Sequence, residues 1–513
     1  MADNVLNLEY LRMSKFKRFL YKIGHFFLGI PGFFKRIGIA IFKFLKKIGI
    51  KIKDEFLDIL YTFKNGDYKT RMSFFLMGFG SFARGQILRG VLFSLFEIVF
   101  IVYMVFAGGH WLSLLPSLGK QGPEKNIYDP DLDTYVTKFH DNSFKILLYS
   151  VLTIFFIVAL IVTWRINVKQ NKIAQEIIAN GKKIKSSKDD VQSLTDNEFH
   201  KTLLALPTLG IVIFTVMPII FMILVAFTNY DGAHNGFSNE LFGWVGGDNF
   251  NTMLNITKGD SAYSATFGEV LTWTLIWAFF ATFSNYFLGM FVAMMINKKG
   301  IKFKKVFRTI LVLTIAIPQF ISLLYVSKMF AYNGIINGWL NRLFGMEPIH
   351  FLDTQANPWV ARFTVIIINI WIGIPYLMLI VSGILMNIPQ DLYESSRIDG
   401  ASGWSQYTRI TLPYMLFVTG PYLLTSFTGN MNNFNVIYLL TGGNPINTAA
   451  SGVSGSVGYT DLLVTWLFKI TTRTESSYYM ASVIGILIFI VVAVISLVVY
   501  NILPSNRNEE DYQ

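Results

Sequence analysis

Two short stretches place uncharged hydrogen-bonding groups inside otherwise apolar sequence. Asn369, Ile372, Gly373 and Tyr376 stand at i, i+3, i+4 and i+7, and Ser426, Gly429, Asn430 and Asn433 repeat that spacing. On a helix each set lines one face. Amides and hydroxyls exchange hydrogen bonds with sugar hydroxyls, and a tyrosine ring stacks on a sugar face. Gly373 and Gly429 leave room for a ligand, and Pro375 frees a backbone carbonyl. The same residue types also hold helices together in membrane bundles. Helix adhesion and ligand binding both fit the spacing.

Much other chemistry is missing. The chain has no cysteine, which removes disulfides, thiolate metal sites and cysteine nucleophiles. No G-x-x-x-x-G-K-[ST] loop occurs, so no ATP site and no cofactor are expected in this chain. Gly78, Gly80 and Gly85 lack the G-x-G-x-x-G spacing and suit close packing or a bend. His25, His110, His140, His200, His234 and His350 are scattered without an H-x-x-x-H pair, so no metal site is expected. Ion-coupled carriers place carboxylates within their spans as relays. Glu97 is the one clear candidate, and an interhelical hydrogen bond or a place near the interface explains it more simply.

The polar faces need helices to carry them, and composition says that those helices cross a membrane. Apolar residues make up 53% of 513 and charged residues 15%, against roughly 25% charged in soluble proteins. A bilayer core takes about 20 apolar residues per helix. Windows free of charge run from Thr202 to Tyr230, Val270 to Asn297, Thr309 to Ser327, Phe363 to Gln390, Ile410 to Thr460 and Ser476 to Asn506. The fifth is too long for one helix, and its second half, with Gly442, Gly443 and Pro445, reads as a loop. Ile87 to Gly109 and Ile146 to Trp164 add two spans. The expected fold is all-α, with about eight transmembrane helices.

Basic residues set the orientation. Arg165 to Lys201 carries eight Lys or Arg and Lys298 to Arg308 six, whereas Asp231 to Glu269 holds five acids and a single Lys258. Alternation then places both termini, and the loop at 387–413, on the cytoplasmic side of a cell membrane. No cleavable signal is expected, because the first thirty residues hold no charge-free apolar run with a small-residue cleavage site.

The formal charge of +12 is concentrated at the front: residues 1–89 hold 17 Lys and Arg against six Asp and Glu. From Lys15 to Lys53, Phe, Ile and Leu alternate with basic residues. One basic amphipathic helix, or two broken near Pro31 and Gly32, would lie on the anionic inner leaflet. A soluble helical hairpin with a solvated basic face is the other reading. No nucleic-acid partner is expected. The boundaries are an interfacial extension at 1–86, two extra spans and a linker at 87–200, a six-helix transmembrane domain at 201–505, and a tail at 506–513.

The loop at 387–413 suits a short helix after Pro389, a stop at Gly400, a second short helix and an entry proline. Glu394-Ser395-Ser396, three residues, Gly400, nine residues and Ile410-x-Leu412-Pro413 resemble the E-A-A-x3-G-x9-I-x-L-P loop of ABC importer permeases, with serine for both alanines. Asn369-Ile-Trp-Ile-Gly-Ile-Pro-Tyr376, Ser426-Phe-Thr-Gly-Asn-Met-Asn-Asn-Phe434 and Gly458-Tyr-Thr-Asp-Leu-Leu-Val464 resemble the larger permease of maltose/maltodextrin importers. The likeness runs from about Leu203 to the C-terminus.

That resemblance implies a type I ABC importer permease fold for a maltodextrin-like oligosaccharide. The implied partners are a second homologous permease, two ATPase subunits holding ATP and Mg, and an extracellular solute-binding protein. The loop, with Glu394, Ser395, Ser396, Asp399, Gly400, Ile410, Leu412 and Pro413, would dock in a cleft of an ATPase. Substrate contacts would fall at Asn369, Ile372, Gly373, Tyr376, Ser426, Gly429, Asn430 and Asn433. The family pattern has an aromatic where this chain has Gly429, which removes a stacking platform. Asp231 to Glu269 is too short for the large extracellular domain of the best-known relative. The segment from Thr441 to Ser477 would meet the binding protein. A secondary sugar transporter would instead need intramembrane carboxylates and repeats, and a membrane enzyme would need clustered acids or histidines.

Overall fold

The computed structural model of the chain describes residues 15–254, 262–298, 300–472 and 476–502, with side chains from Gly38 to Tyr500 except at 40 and 41. The tail at 506–513 and residues 1–14 of the extension lie outside the described residues. Among the described residues, seven helices are long and apolar enough to cross a membrane, and a sharply bent pair makes an eighth candidate. The chain divides into two compact units, Met1–Gly109 with Thr153–Leu209, and His110–Leu152 with Gly210–Gln513.

The first unit begins with α1 (Lys15–Asn65), followed by short α2 (Tyr68–Met72) and α3 (Phe79–Phe82). It contains most of α4 (Ile87–Leu114), the larger part of α5 (Ser143–Ala179), α6 (Ser187–Thr195) and the start of α7 (Phe199–Val225). The break considered at Pro31 and Gly32 is absent: α1 is one helix. Asp67 caps α2 by accepting from the Thr70 amide at 2.8 Å. The buried Arg84 guanidinium gathers Asp67, Thr70 and Asn171 at 2.6, 2.8 and 2.7 Å. Gly78, with φ of +84°, turns the chain where a Cβ would collide with the Gly90 carbonyl. Glu97 accepts a hydrogen bond from the Met77 amide at 2.9 Å, which gives it a structural partner.

In the second unit, an antiparallel hairpin of β1 (Glu124–Asp129) and β2 (Thr134–Lys138) pairs Tyr128 with Tyr135. No strand was expected there. After α8 (Asp248–Leu254), α9 (Ala262–Asn297) is the central helix. Around it lie α10 (Lys304–Ala316), α11 (Gln319–Met329), α12 (Ile335–Phe344) and α13 (Pro358–Leu385). Then come α14 (Gln390–Ile398), α15 (Gly403–Met431), α16 (Phe434–Leu440), α17 (Leu463–Thr472) and α18 (Tyr478–Ile502).

Three clusters fix α9, the first joining its Phe267 and Val270 to Trp466 and Ile484. Trp273, Trp277 and Ala281 pack with Leu323, Val365, Ile368 and Val436, and one end of the helix joins Tyr286, Met290 and Ala293 to Met378, Val381 and Met415. Gly289 lets α13 close in, since a Cβ there would lie 2.7 Å from that of Leu377.

The window from Thr309 to Ser327 is not one straight span. It breaks at Ile317–Pro318, and α10 and α11 meet at 93°. Proline forces the residue before it into extended backbone, and Ile317 has φ −81° and ψ 124°. The second short helix expected in the 387–413 loop is also absent as a separate element. Gly403 starts a helix that widens into a π turn at Tyr407–Thr411 and runs on as α15. Another such turn, at Val212–Val216, also precedes a proline, Pro218. The wider turn makes space where a proline ring would strike the preceding turn.

Candidate functional site

The two polar faces converge on α9 rather than chiefly on each other. Asn430 donates to the Thr282 hydroxyl at 3.0 Å, and its carbonyl accepts from the Trp277 indole at 3.1 Å. Asn433 donates to the Asn430 side chain at 3.3 Å, and its own oxygen caps α16. On α13, a Cβ at Gly373 would lie 2.6 Å from the Asn285 amide nitrogen. Gly373 therefore makes room for Asn285, where the spacing suggested room for a ligand.

Asn285 donates to the Ala281 carbonyl at 2.8 Å, and its oxygen has no hydrogen-bond partner. The side-chain nitrogen of Asn369, one turn before Gly373, is likewise buried and unpartnered. An orphaned acceptor and an orphaned donor thus lie on facing helices. Each costs about 1–3 kcal/mol if left so. A hydroxyl that donates to one group and accepts from another has the right chemistry for such a pair.

Ile372 joins the apolar cluster around α9, whereas Tyr376 is half exposed and Gly429 is open. Ser426 is partly buried. The window Val270 to Asn297 marks α9 as a span but not its polar face, where Thr282, Asn285, Tyr286 and Gly289 repeat the i, i+3, i+4, i+7 spacing. Tyr286 meets Thr419 of α15 at 2.8 Å.

The loop residues form a compact projection. Asp391 and Arg397 sit at the ends of α14 that suit their charges. Gly400, at φ +77°, ends it, with the Ala401 amide reaching back to the Ser396 carbonyl at 2.9 Å. Ser402 then caps the next helix. Gln406 donates to the Ser396 hydroxyl at 2.8 Å and the Tyr393 carbonyl at 3.1 Å, and Tyr393 meets Thr411 at 2.8 Å. Ser396 thus ties α14 to α15 through a group that alanine lacks. Glu394, Ser395 and Asp399 are exposed, as are Leu392, Ile398 and Trp404, while Ile410 and Leu412 are partly buried. Ser396, Asp399, Gly400, Gln406 and Ile410 line a cleft of about 330 Å³.

Between α16 and α17 the chain is rigidly tied. Asp461 is fully buried and pairs with Lys469 at 2.6 Å. It also accepts from the Gly458 amide at 2.7 Å and the Thr465 hydroxyl at 2.8 Å. Burial pushes its carboxyl above the ordinary carboxylate range, against the opposing pull of Lys469. Arg362 lies over the Trp273 ring at 4.7 Å and donates to the Tyr459 carbonyl at 2.8 Å. Asp461 stood in the sequence only as part of the Gly458–Val464 likeness, and the ion pair with Lys469 eight positions on was not expected.

Residues 285–507 match the family described as binding-protein-dependent transport system inner membrane component. The maltodextrin transport system permease protein MalC of Streptococcus pneumoniae is 32% identical over 82% of this chain and 93% of its own length. This chain belongs to the binding-protein-dependent ABC importer permeases. The permease is also 39% identical to the galactooligosaccharides transport system permease protein GanP of Bacillus subtilis, over 62% of this chain and 72% of that one. Among solved structures, a bacterial alginate ABC transporter in complex with an alginate pentasaccharide-bound periplasmic protein aligns with 60% of the permease and 94% of its own chain. That alignment has 21% identity and a TM-score of 0.47. The permease is a multi-pass membrane protein and a transport subunit.

Proposed function

We propose that the permease carries maltodextrin-like oligosaccharides into a bacterial cell as one of two homologous membrane subunits. Two ATPase subunits holding ATP and Mg supply the energy, and an extracellular binding protein delivers the sugar. The observation that carries the substrate class is a run of uncharged polar groups beside α9: Asn430 bonds Thr282, Asn433 bonds Asn430, and Gly373 of α13 admits Asn285. The names of the relatives support it. Sugars offer neutral hydroxyls, and these groups exchange hydrogen bonds without charge.

In this reading Asn369, Ile372, Gly373, Tyr376, Ser426, Gly429, Asn430 and Asn433 line the path. Asn430 and Asn433 act directly, and Gly373 acts by admitting Asn285. The projection of α14 docks in an ATPase cleft, with Glu394 making polar contact and Gly400 setting the turn. Ser395, Asp399, Ile410, Leu412 and Pro413 shape the same joint. Both termini lie in the cytoplasm, and the segment tied by Asp461 and Lys469 faces the binding protein. ATP-driven closure then shifts a two-state assembly around the central path.

Galacto-oligosaccharides are the second reading, favoured by the 39% identity to GanP. Reconstituting the complete transporter with its binding protein and measuring ATPase stimulation by a sugar panel separates the two. Stimulation by maltodextrins is expected. A response to galacto-oligosaccharides alone would reassign the substrate.

A further inference from the structure

The basic N-terminal helix has an apolar face that is exposed among the described residues. Leu45, Ile48, Ile52 and Phe56 recur at helical spacing along α1 and are 58%, 37%, 64% and 59% exposed. Lys43 and Lys47 fall on the opposite face, and Lys46, Lys51 and Lys53 flank it. From Lys15 to Lys53 the sequence holds eleven Lys or Arg and no acid.

The far end of this helix is clamped. Asp58 accepts from Lys172 at 2.5 Å and from Arg165 at 2.6 Å, and Arg165 also binds Glu55 at 2.6 Å. The Tyr61 ring lies under the Lys172 ammonium at 5.6 Å. Arg165 directly follows Trp164, the last residue of an apolar window, and the Trp164 indole donates to the Phe74 carbonyl at 3.0 Å. A tryptophan followed by a cation marks the level where hydrocarbon gives way to headgroups. The clamp therefore holds α1 at that level.

We infer that residues 41–57 of α1 lie on a surface of anionic lipid, with Leu45, Ile48, Ile52 and Phe56 in the acyl boundary and the lysines among the headgroups. Charge complementarity selects this occupant. A single-sign charge spread from Lys15 to Lys53, with acids only beyond it at Asp54, Glu55 and Asp58 beside the clamp, suits a continuous anionic surface, whereas a protein partner is read through paired charges of both signs. The inference rests on membrane insertion alone and does not depend on the transported sugar.

The native chain lacks cysteine, so single labels are placed directly. The full chain is reconstituted in nanodiscs of phosphatidylglycerol with phosphatidylethanolamine, or of phosphatidylcholine alone. Spin labels go at Leu45→Cys, Ile48→Cys, Ile52→Cys, Phe56→Cys, Lys43→Cys and Lys47→Cys. A label at Val105→Cys, in α4, reports correct insertion. In anionic discs the first four labels are expected to meet oxygen dissolved in lipid and to be shielded from an aqueous nickel chelate. The two lysine positions should show the reverse, so accessibility oscillates with a period of about 3.6 residues. Replacing Lys43, Lys46, Lys47, Lys51 and Lys53 with Gln, or removing the anionic lipid, should expose Phe56→Cys to the aqueous probe. Uniform access to the chelate, or access unaffected by lipid charge, would overturn the inference. Shielding from both probes would assign the face to a protein partner instead.

Discussion

Gly373 and Asn285 occupy one space: a Cβ on the glycine would meet the asparagine amide at 2.6 Å, a contact that ordinary packing forbids. Gly373→Ala should therefore destabilise the α9–α13 pair by about 1–3 kcal/mol through overpacking. Thermal unfolding of the purified protein reads this directly. Adding Asn285→Ala should recover part of the loss, because it vacates the contested volume. A single mutant as stable as wild type would show that the two helices separate at little cost.

Asn430→Ala removes the bond to Thr282, and Tyr376→Ala removes a half-exposed ring. Both variants should assemble normally and lower uptake of labelled oligosaccharide. Normal transport in both would return these residues to helix packing.

At the projection, Gly400→Val puts a β-branched residue at φ +77°, at a cost of about 1–3 kcal/mol. Co-purification of the ATPase should fall while membrane insertion is unchanged. Gln406→Ala should act similarly but more weakly, since it unfastens α14 from α15 without bending the chain. Retained association in Gly400→Val would dissociate this turn from coupling.

Lys469→Met strands a fully buried carboxylate, and breaking one side of such a pair costs about 3–5 kcal/mol. A lower melting temperature is expected, together with weaker pull-down of the binding protein. Replacing Asp461 by Asn in the same chain should restore most of the stability, because the orphaned charge is then gone.

Hydrogen bonds from Lys172 and Arg165 hold the Asp58 carboxyl below the ordinary carboxylate range. A depressed acid stabilises its contacts fully above the ordinary range and loses that effect as pH falls through the depressed value. The α1 clamp should accordingly loosen only in strong acid, read as rising mobility of a spin label at Lys47→Cys. In Asp58→Asn the label should be mobile already at neutral pH, and a pH step that survives would point to another group.

Charge-free windows located the membrane helices well because apolar content over twenty residues is a property of the segment itself. The polar positions on α13 were equally legible, since Asn and Gly stand out against Leu and Ile, but the second set does not share one helix face: α15 ends at Met431, and Asn433 caps α16 instead. What lies opposite these positions was not legible: Thr282 and Asn285 matter through a partner more than eighty residues away, and no local pattern announces that. The break at Pro318 could be read from the proline alone, but its 93° angle belongs to packing. Ser396 shows the opposite case. As a substitution within a motif it looks neutral, and only its bond to Gln406 gives the hydroxyl a task.

The corner at Ile317 and Pro318 leaves the last carbonyls of α10 and the first amides of α11 without neighbours along the helix axis. Hydrocarbon cannot satisfy such groups, so non-helical backbone at membrane depth needs protein or water beside it. Ile317 and Phe320 are about half exposed. That one proline therefore marks a place along the chain where lipid is a poor neighbour and a polar or protein surface a good one.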